Sequence, residues 1–192
     1  KAFKVLDLNF LDKLNVIKRG PQIPLSKDIA SIIYYSNVNK DSRVLDAGSG
    51  SGFLAINLAR FAKEVITYEK NKHAYEIVKE NIKDLELKNI KLINKDISEL
   101  TEKDFDLVTL DLLEPEKVID KISSSLNSNR TLIAYLPNLT QVYDFKKSLK
   151  DNNLIHLKTL ETIEREWDIF KRIAKPINTS THSGFIVICR KL

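Results

Sequence analysis

The chain has 192 residues, of which 43% are hydrophobic and 30% charged, with a net charge of +5. These values are typical of one soluble globular domain, and the excess of basic residues indicates either an anionic partner such as nucleic acid or a lysine-rich solvated surface. No apolar run reaches the roughly 18 residues that a membrane span requires. The lone Cys189 cannot form an internal disulfide. We therefore expect a cytoplasmic protein without membrane contact.

Hydrophobic periodicity predicts strands that alternate with helices along most of the chain. After a mixed segment over residues 1–23, Ser26 is the expected N-cap of the first helix. Strands separated by helices of this length favour a doubly wound, mostly parallel sheet. Two late strands without a helix between them add an antiparallel pair at one edge. In chain order the predicted elements are helix 26–35, strand 44–47, helix 52–62, strand 64–69, helix 72–85, strands 90–93 and 105–111, helix 114–126, strand 131–136, helix 142–150, and strands 154–163 and 183–190.

A glycine-rich turn follows the first predicted strand. Gly48, Gly50 and Gly52 occupy every second position there, and they are three of only five glycines in the chain. Glycine lets the backbone approach a ligand closely, so this turn predicts a nucleotide-like cofactor. The dinucleotide pattern requires a third small residue where this chain has Phe53. The segment 46–52 instead resembles motif I of class I methyltransferases, which implies S-adenosylmethionine as cofactor and a Rossmann-like fold of that class.

Acidic residues lie at or just after the ends of successive predicted strands, at the positions that such a cofactor needs. Asp46 suits the ammonium and sulfonium charges, Glu69 can accept hydrogen bonds from both ribose hydroxyls, and Asp96 can meet the adenine amino group. Each alone is equally compatible with a solvated acid, but three at successive strand ends favour a cofactor site. No metal site is predicted. The predicted cofactor-binding set is Gln22, Asp46, Gly48, Ser49, Gly50, Gly52, Phe53, Glu69, Asp96, Ile97 and Asp111.

The second half of the chain carries more specific motifs, and a further block lies upstream of the glycine turn. Together they resemble the tRNA (adenine-N1)-methyltransferases that modify T-loop adenine 58 and, in archaea, also adenine 57. The resemblance extends from about Arg19 to the C-terminus. Its motifs are Arg19-Gly20-Pro21-Gln22, Lys27-Asp28, Leu110-Asp111-Leu112-Leu113-Glu114-Pro115, the block 134–142, Arg165-Glu166-Trp167 and Thr181-His182-Ser183-Gly184-Phe185.

Adenine N1 carries an in-plane lone pair and is mostly unprotonated at neutral pH, so it can attack a methyl group without a base. Positive charge then passes to the ring, and a fixed carboxylate beside it would stabilise that charge. Asp111 is the candidate, and the resemblance implies the same role, against the alternative of a helix N-terminal acid. Tyr135 aligns with a family tyrosine near the target base, where it either orients a flipped adenine or packs in the core. Asp111 and Tyr135 are the predicted catalytic residues.

The pocket for the adenine is expected to be lined by residues on the first helix and after the fifth strand. The family often has a tyrosine or histidine at the position of Leu25. Leucine can pack against a base but cannot hydrogen-bond to it, so this chain departs from the family here. The predicted substrate-binding set is Leu25, Tyr135, Asn138, Thr140 and Gln141.

The resemblance also implies assembly and domain organisation. Bacterial and archaeal relatives are homotetramers, so a homotetramer that binds tRNA is expected. Residues 1–20 are predicted to be a linker or the remnant of an N-terminal β-rich domain, and residues 21–192 the methyltransferase domain. Two alternatives remain: a corrinoid-biosynthesis methyltransferase, and a catalytically silent RNA-binding partner subunit.

Overall fold

The computed structural model describes residues 5–20, 23–177 and 182–192. Seven strands form one sheet in the order β3-β2-β1-β4-β5-β9-β6, and β7 and β8 form a separate two-stranded sheet. The elements are α1 (Phe10–Val16), α2 (Ser26–Ser36), β1 (Arg43–Ala47), α3 (Phe53–Ala59), β2 (Glu64–Tyr68), α4 (Lys72–Asp84), β3 (Ile90–Ile93), β4 (Phe105–Leu110), α5 (Ile119–Ser125), β5 (Leu126–Leu136), α6 (Leu139–Leu149), β6 (Leu154–Leu160), β7 (Trp167–Phe170), β8 (Ile173–Pro176) and β9 (Phe185–Lys191).

The sheet confirms the predicted doubly wound arrangement. Strands β1 to β5 pair in parallel, whereas β9 runs antiparallel to both β5 and β6. The antiparallel pair expected near the C-terminus is therefore β6 with β9 at one edge. Strand order reverses at β1, whose neighbours are β2 and β4, and ligands of open α/β sheets bind outside the carboxyl ends of the strands at such a point.

Alternation of apolar residues along the central strands produces a core on each face of the sheet. Val44 belongs to the core that contains α1, α2 and α3, and the adjacent Leu45 belongs to the core that contains α5 and α6. Both side chains are fully buried. The sheet is thus covered on both faces, and it fixes its strand ends as a rigid platform.

Several predicted boundaries were wrong. The helix predicted over 114–126 divides into a 3-10 turn, Pro115–Val118, and the shorter α5. Ser26 is the first helical residue of α2, and Leu25 is its N-cap. β5 begins five residues earlier than predicted, β6 ends at residue 160, and the β7–β8 hairpin was not anticipated.

The segment before α2 packs against the core. Leu14 of α1 and Ile17 are buried together with residues of α2 and α3. The assignment of residues 1–20 to a linker or a separate domain remains a prediction. Within the described part of the chain, no helix combines the length and apolarity needed to traverse a lipid bilayer.

Candidate active site

Four of the predicted residues form one row across the carboxyl ends of adjacent strands. The last residues of β1, β2 and β4 are in register, so Gly48, Glu69 and Asp111, which follow them, lie side by side. β5 adds Tyr135 next to Asp111. The Asp111 N–H donates to the Ala47 carbonyl oxygen over 2.9 Å, which extends the sheet pairing by one residue into this row. The row lies where the strand order reverses.

The glycine turn requires glycine for two different reasons. Gly48 has φ +89°, and a Cβ placed on it would lie 2.0 Å from the Asp111 carbonyl oxygen. Gly52 has φ +82° and faces Val78, with 3.0 Å between an added Cβ and Cγ1. Gly50 also has a positive φ, +57°, yet a Cβ there would have no atom within 4 Å. The turn therefore packs tightly at both ends and leaves open space at its middle.

Glu69 is held beneath this open space. Its carboxylate accepts hydrogen bonds from the Gly50 N–H at 2.9 Å and the Asn71 N–H at 2.8 Å. Asp96 follows β3, accepts the Ser98 N–H at 2.9 Å and lies 3.4 Å from the Lys70 ammonium. The Ser98 hydrogen bonds lower the pKa of Asp96, so this carboxylate is ionised. Two carboxylates thus stand at neighbouring strand ends, in fixed orientations and able to accept further donors.

The turn's remaining predicted residues are buried supports. The Ser49 hydroxyl hydrogen-bonds to that of Thr67, Phe53 begins α3, and Ile97 lies in the core. Arg19 stacks over the Phe53 ring, 5.3 Å from its centroid. Because the Ser49 hydroxyl is already bound to Thr67, any contact of Ser49 with a ligand would come from its backbone.

Asp46, which the sequence predicted to suit the charges of the cofactor, lies in β1 just before the glycine turn. Its side chain is buried, and the hydroxyls of Thr67 and Thr109 each donate to it over 2.7 Å. Burial raises its pKa, although both hydroxyl donors oppose that shift. Adjacent strands place threonines on both sides of this carboxylate, so Asp46 links β1 to β2 and β4. A role of Asp46 in cofactor binding remains a prediction.

Asp111 has the electrostatics expected of a functional acid. Burial raises its pKa to about 7, and the negative charges of Asp46 and Glu69 contribute to the same direction. Among residues 5–20, 23–177 and 182–192, no group hydrogen-bonds to the Asp111 carboxylate. A partly buried carboxylate that is surrounded by negative charge and has no donor among these residues is well suited to a cationic partner.

Comparison with known proteins identifies the kind of site. Residues 38–177 match the family described as "Methyltransferase domain". The chain is 32% identical to the tRNA (adenine(58)-N(1))-methyltransferase TrmI of Thermus thermophilus over 91% of its own length and 71% of that protein. The chain belongs to the tRNA (adenine(58)-N(1))-methyltransferase family.

Two solved structures of methyltransferases share the fold over almost the whole chain. The tRNA (m1A58) methyltransferase TrmI from Aquifex aeolicus is 30% identical, with a TM-score of 0.86, over 94% of this chain and 74% of that one. A SAM-dependent O-methyltransferase from Thermotoga maritima is 26% identical, with a TM-score of 0.89, over 96% and 72% of the two chains.

The site of this methyltransferase fits S-adenosylmethionine, the cofactor of the family. The open space at Gly50 leaves room for a ligand against the turn, and the acceptor-only Glu69 carboxylate matches a pair of hydroxyl donors. Gln22, the remaining predicted cofactor residue, lies outside the described residues.

The residues predicted to contact the adenine differ in their exposure and in their hydrogen bonds. The sequence left two options for Tyr135, packing in the core or orienting a flipped adenine. Its side chain is only 8% exposed, which favours packing in the core. Asn138 caps α6 through the Gln141 N–H at 2.9 Å, while the Gln141 side-chain amide donates to the Leu113 carbonyl at 2.8 Å. Thr140 and Leu25 are exposed. Asn138 and Gln141 therefore connect the loop after Asp111 to the start of α6.

Sequence reasoning missed the partners of Tyr135. Its hydroxyl donates to Asp28 over 3.1 Å, and Asp28 is fully buried beside Lys27. The pair Lys27-Asp28 was read only as part of a family motif. A Lys-Asp pair in the first turn of an otherwise apolar-faced helix was the available signal, because buried charges require partners.

Proposed function

We propose that this chain transfers a methyl group from S-adenosylmethionine to N1 of adenine 58 in the T-loop of tRNA. The observation that carries the proposal is the row of Glu69, Gly48 and Asp111 at the topological switch point. Similarity to a tRNA (adenine(58)-N(1))-methyltransferase over 91% of this chain and 71% of that protein supports the choice of acceptor. That similarity and the row together disfavour a corrinoid substrate and a silent subunit.

On the donor side, Glu69 is proposed to hold the ribose hydroxyls and Asp96 the adenine amino group. Gly48, Gly50 and Gly52 let the backbone pass close beneath the cofactor. S-adenosylmethionine supplies an electrophilic methyl group bonded to a positively charged sulfur. Asp46 contributes negative charge from below the turn and stabilises the strands that carry these residues.

On the acceptor side, Asp111 is proposed to accept a hydrogen bond from the exocyclic amine of adenine. Its negative charge then stabilises the positive charge that develops on the ring as N1 attacks. No base is needed, because N1 carries no proton at neutral pH. The backbone of Asp111 is held at the end of β4 by its hydrogen bond to Ala47, so the carboxylate is in the site before the reaction and stabilises that charge with less reorganisation than solvent would require.

The adenine has to leave the folded T-loop before N1 becomes accessible. Leu25, Asn138, Thr140 and Gln141 are proposed to line the pocket that receives it, and Tyr135 to form its wall. Leu25 provides apolar packing in place of the aromatic hydrogen-bonding residue found in many relatives. The net charge of +5 suits the binding of an RNA backbone.

The proposal is tested by incubating the chain with labelled S-adenosylmethionine and an unmodified tRNA transcript, and then mapping the labelled base. We expect 1-methyladenosine at position 58. A transcript with guanosine at 58 distinguishes this product from one at adenine 57. An inert tRNA with a labelled corrinoid would overturn the assignment, and absence of cofactor binding in calorimetry would support a silent subunit.

The pKa of Asp111 predicts a pH dependence for this reaction. Only the ionised carboxylate stabilises the methylated ring, and the pKa of Asp111 in the free protein is about 7. We expect kcat/KM for tRNA to rise about tenfold per pH unit below that value and to level off above it. The Asp111→Asn variant should lack the inflection. A flat wild-type profile between pH 5.5 and 8.5 would contradict the role.

We also propose that the chain works in the cytoplasm as a homotetramer assembled through the β7–β8 hairpin. The hairpin forms its own two-stranded sheet, and Ile169, Phe170 and Ile173 are 72%, 67% and 68% exposed. Phe170 and Ile173 are paired neighbours on one face of the hairpin and Ile169 lies on the other, and exposed apolar clusters of this kind are typical of protein interfaces. The unpaired strand edges add backbone donors and acceptors for a second copy.

Substitution of the hairpin should break this assembly. We expect the double variant Ile169→Ser with Phe170→Ser to elute as a smaller species in size-exclusion chromatography with light scattering, with unchanged affinity for S-adenosylmethionine. Tyr34→Ser is the control, because Tyr34 is 78% exposed but lies on α2. A monomeric wild type, or a tetrameric double variant, would contradict the proposal.

A further inference from the structure

An ion pair is buried in the first turn of α2. The Lys27 ammonium lies 2.8 Å from Oδ1 of Asp28, and the two side chains are 6% and 0% exposed. Removing two charges from water is costly, and replacing such a pair by apolar residues is often neutral or stabilising. Overall stability therefore does not explain why this pair is present.

The second oxygen of Asp28 connects three separate segments of the chain. Oδ2 accepts the Tyr135 hydroxyl from β5 at 3.1 Å and the Ser183 hydroxyl, just before β9, at 2.7 Å. The Lys27 ammonium also hydrogen-bonds to the Ser183 oxygen. Asp28 is thus the centre of a network that links α2, β5 and the segment leading into β9.

The network holds Tyr135 from two sides. Asp28 binds its hydroxyl, while Gly184 packs against its ring so closely that a Cβ there would lie 2.6 Å from Cζ. Tyr135 follows the β5 residue paired with the end of β4, so it lies next to Asp111 in the row. The Asp111 charge contributes to raising the pKa of Tyr135, which is consistent with this proximity.

The direction of these hydrogen bonds determines what Tyr135 can offer to a ligand. An ionised carboxylate only accepts, so the single hydroxyl proton of Tyr135 is donated to Asp28. The tyrosine oxygen then has only acceptor capacity left. Such a hydroxyl can accept a bond from an exocyclic amine, but it cannot donate a proton to the N1 lone pair, which would block the nucleophile.

We propose that Lys27 and Asp28 are positioning residues for the acceptor side of the site, resting on the proposed function above. Asp28 fixes the Tyr135 hydroxyl and the segment 183–184 beside Asp111. Because the tyrosine proton is donated to Asp28, the hydroxyl cannot donate it to the adenine. Lys27 pairs with the buried Asp28 carboxylate at 2.8 Å and also hydrogen-bonds to Ser183, so it holds Asp28 in place within this network.

The test compares kinetics in the full chain. We expect Asp28→Asn and Tyr135→Phe each to lower kcat about tenfold or more, with the KM for tRNA and the dissociation constant of S-adenosylmethionine within about threefold of wild type. The double variant should lose no more than Asp28→Asn, because both changes remove one interaction. Ser36→Ala is the control, a buried hydroxyl on the same helix that bonds only to Ile33 and Val38 among the described residues.

Hydrogen exchange provides a readout that needs no activity. We expect the amides of residues 183–186 to exchange faster in Asp28→Asn than in wild type or Ser36→Ala. If Asp28→Asn does not fold, Ser183→Ala replaces it in the comparison with Tyr135→Phe and the corresponding double variant. An unchanged kcat and unchanged exchange in Asp28→Asn, or multiplicative losses in the double variant, would overturn the positioning role. Failure of the proposed function appears separately, as a wild type that does not methylate adenine 58.

Discussion

Replacing Asp111 by asparagine is expected to lower the rate of methyl transfer by about 10²–10³-fold, the usual effect of removing one preorganised electrostatic group. The isosteric amide keeps the shape of the site but has no charge to stabilise the methylated adenine. Affinity for S-adenosylmethionine should change little, because Glu69 and the glycine turn remain. The measurements are single-turnover methylation of tRNA and calorimetric titration with the cofactor.

Thermal melting of the variant tests whether misfolding causes that loss. The pKa of Asp111 is raised to about 7 in the folded chain, above its ordinary value of 3.8. The folded state therefore holds the proton longer than the unfolded state, and stability declines as pH rises between these values. Asp111→Asn removes this penalty and should melt no lower than wild type at pH 8.

The matched control for this substitution is Asp120→Asn. Asp120 lies in the first turn of α5, is exposed, and takes no part in the row. We expect its variant to retain wild-type turnover. Loss of less than about tenfold on Asp111→Asn, or an equal loss in both variants, would show that Asp111 does not stabilise the reacting ring.

The row of site residues was predictable because it depends on local signals. A strand's apolar pattern, the glycine spacing and the first residue after each strand determine which groups meet at the carboxyl edge of a parallel sheet. Glu69 and Asp111 were found in this way. The register that places them side by side comes from the structure.

Burial of individual polar side chains was not predictable, because it depends on distant residues. Asp46 is enclosed by hydroxyls that lie 21 and 63 positions away. Tyr135 is bound by Asp28, which is 107 positions away. A short motif contains no information about such contacts. The β7–β8 hairpin was missed for another reason: both of its strands are exposed throughout, so the alternation that normally indicates a strand is absent.

Substitution of Gly48 by alanine should abolish cofactor binding and destabilise the fold together. The left-handed backbone at φ +89° costs about 1–2 kcal/mol for a residue with a Cβ. That Cβ would also lie 2.0 Å from the carbonyl oxygen of Asp111. Because this obstacle is backbone, β1 and β4 must move apart at the row. We expect at least about 100-fold weaker binding of S-adenosylmethionine and a melting temperature several degrees lower.

Two further glycine variants separate the possible causes. At Gly20 an added Cβ would make only ordinary contacts, at 3.7 and 3.8 Å, so Gly20→Ala should bind the cofactor normally. At Gly50 it would enter open space, at φ +57°. If the cofactor occupies that space, Gly50→Ala should bind S-adenosylmethionine much more weakly than wild type while its melting temperature falls only slightly. Normal binding by Gly50→Ala would instead place the cofactor elsewhere, and normal binding by Gly48→Ala would show that the turn does not depend on its contact with Asp111.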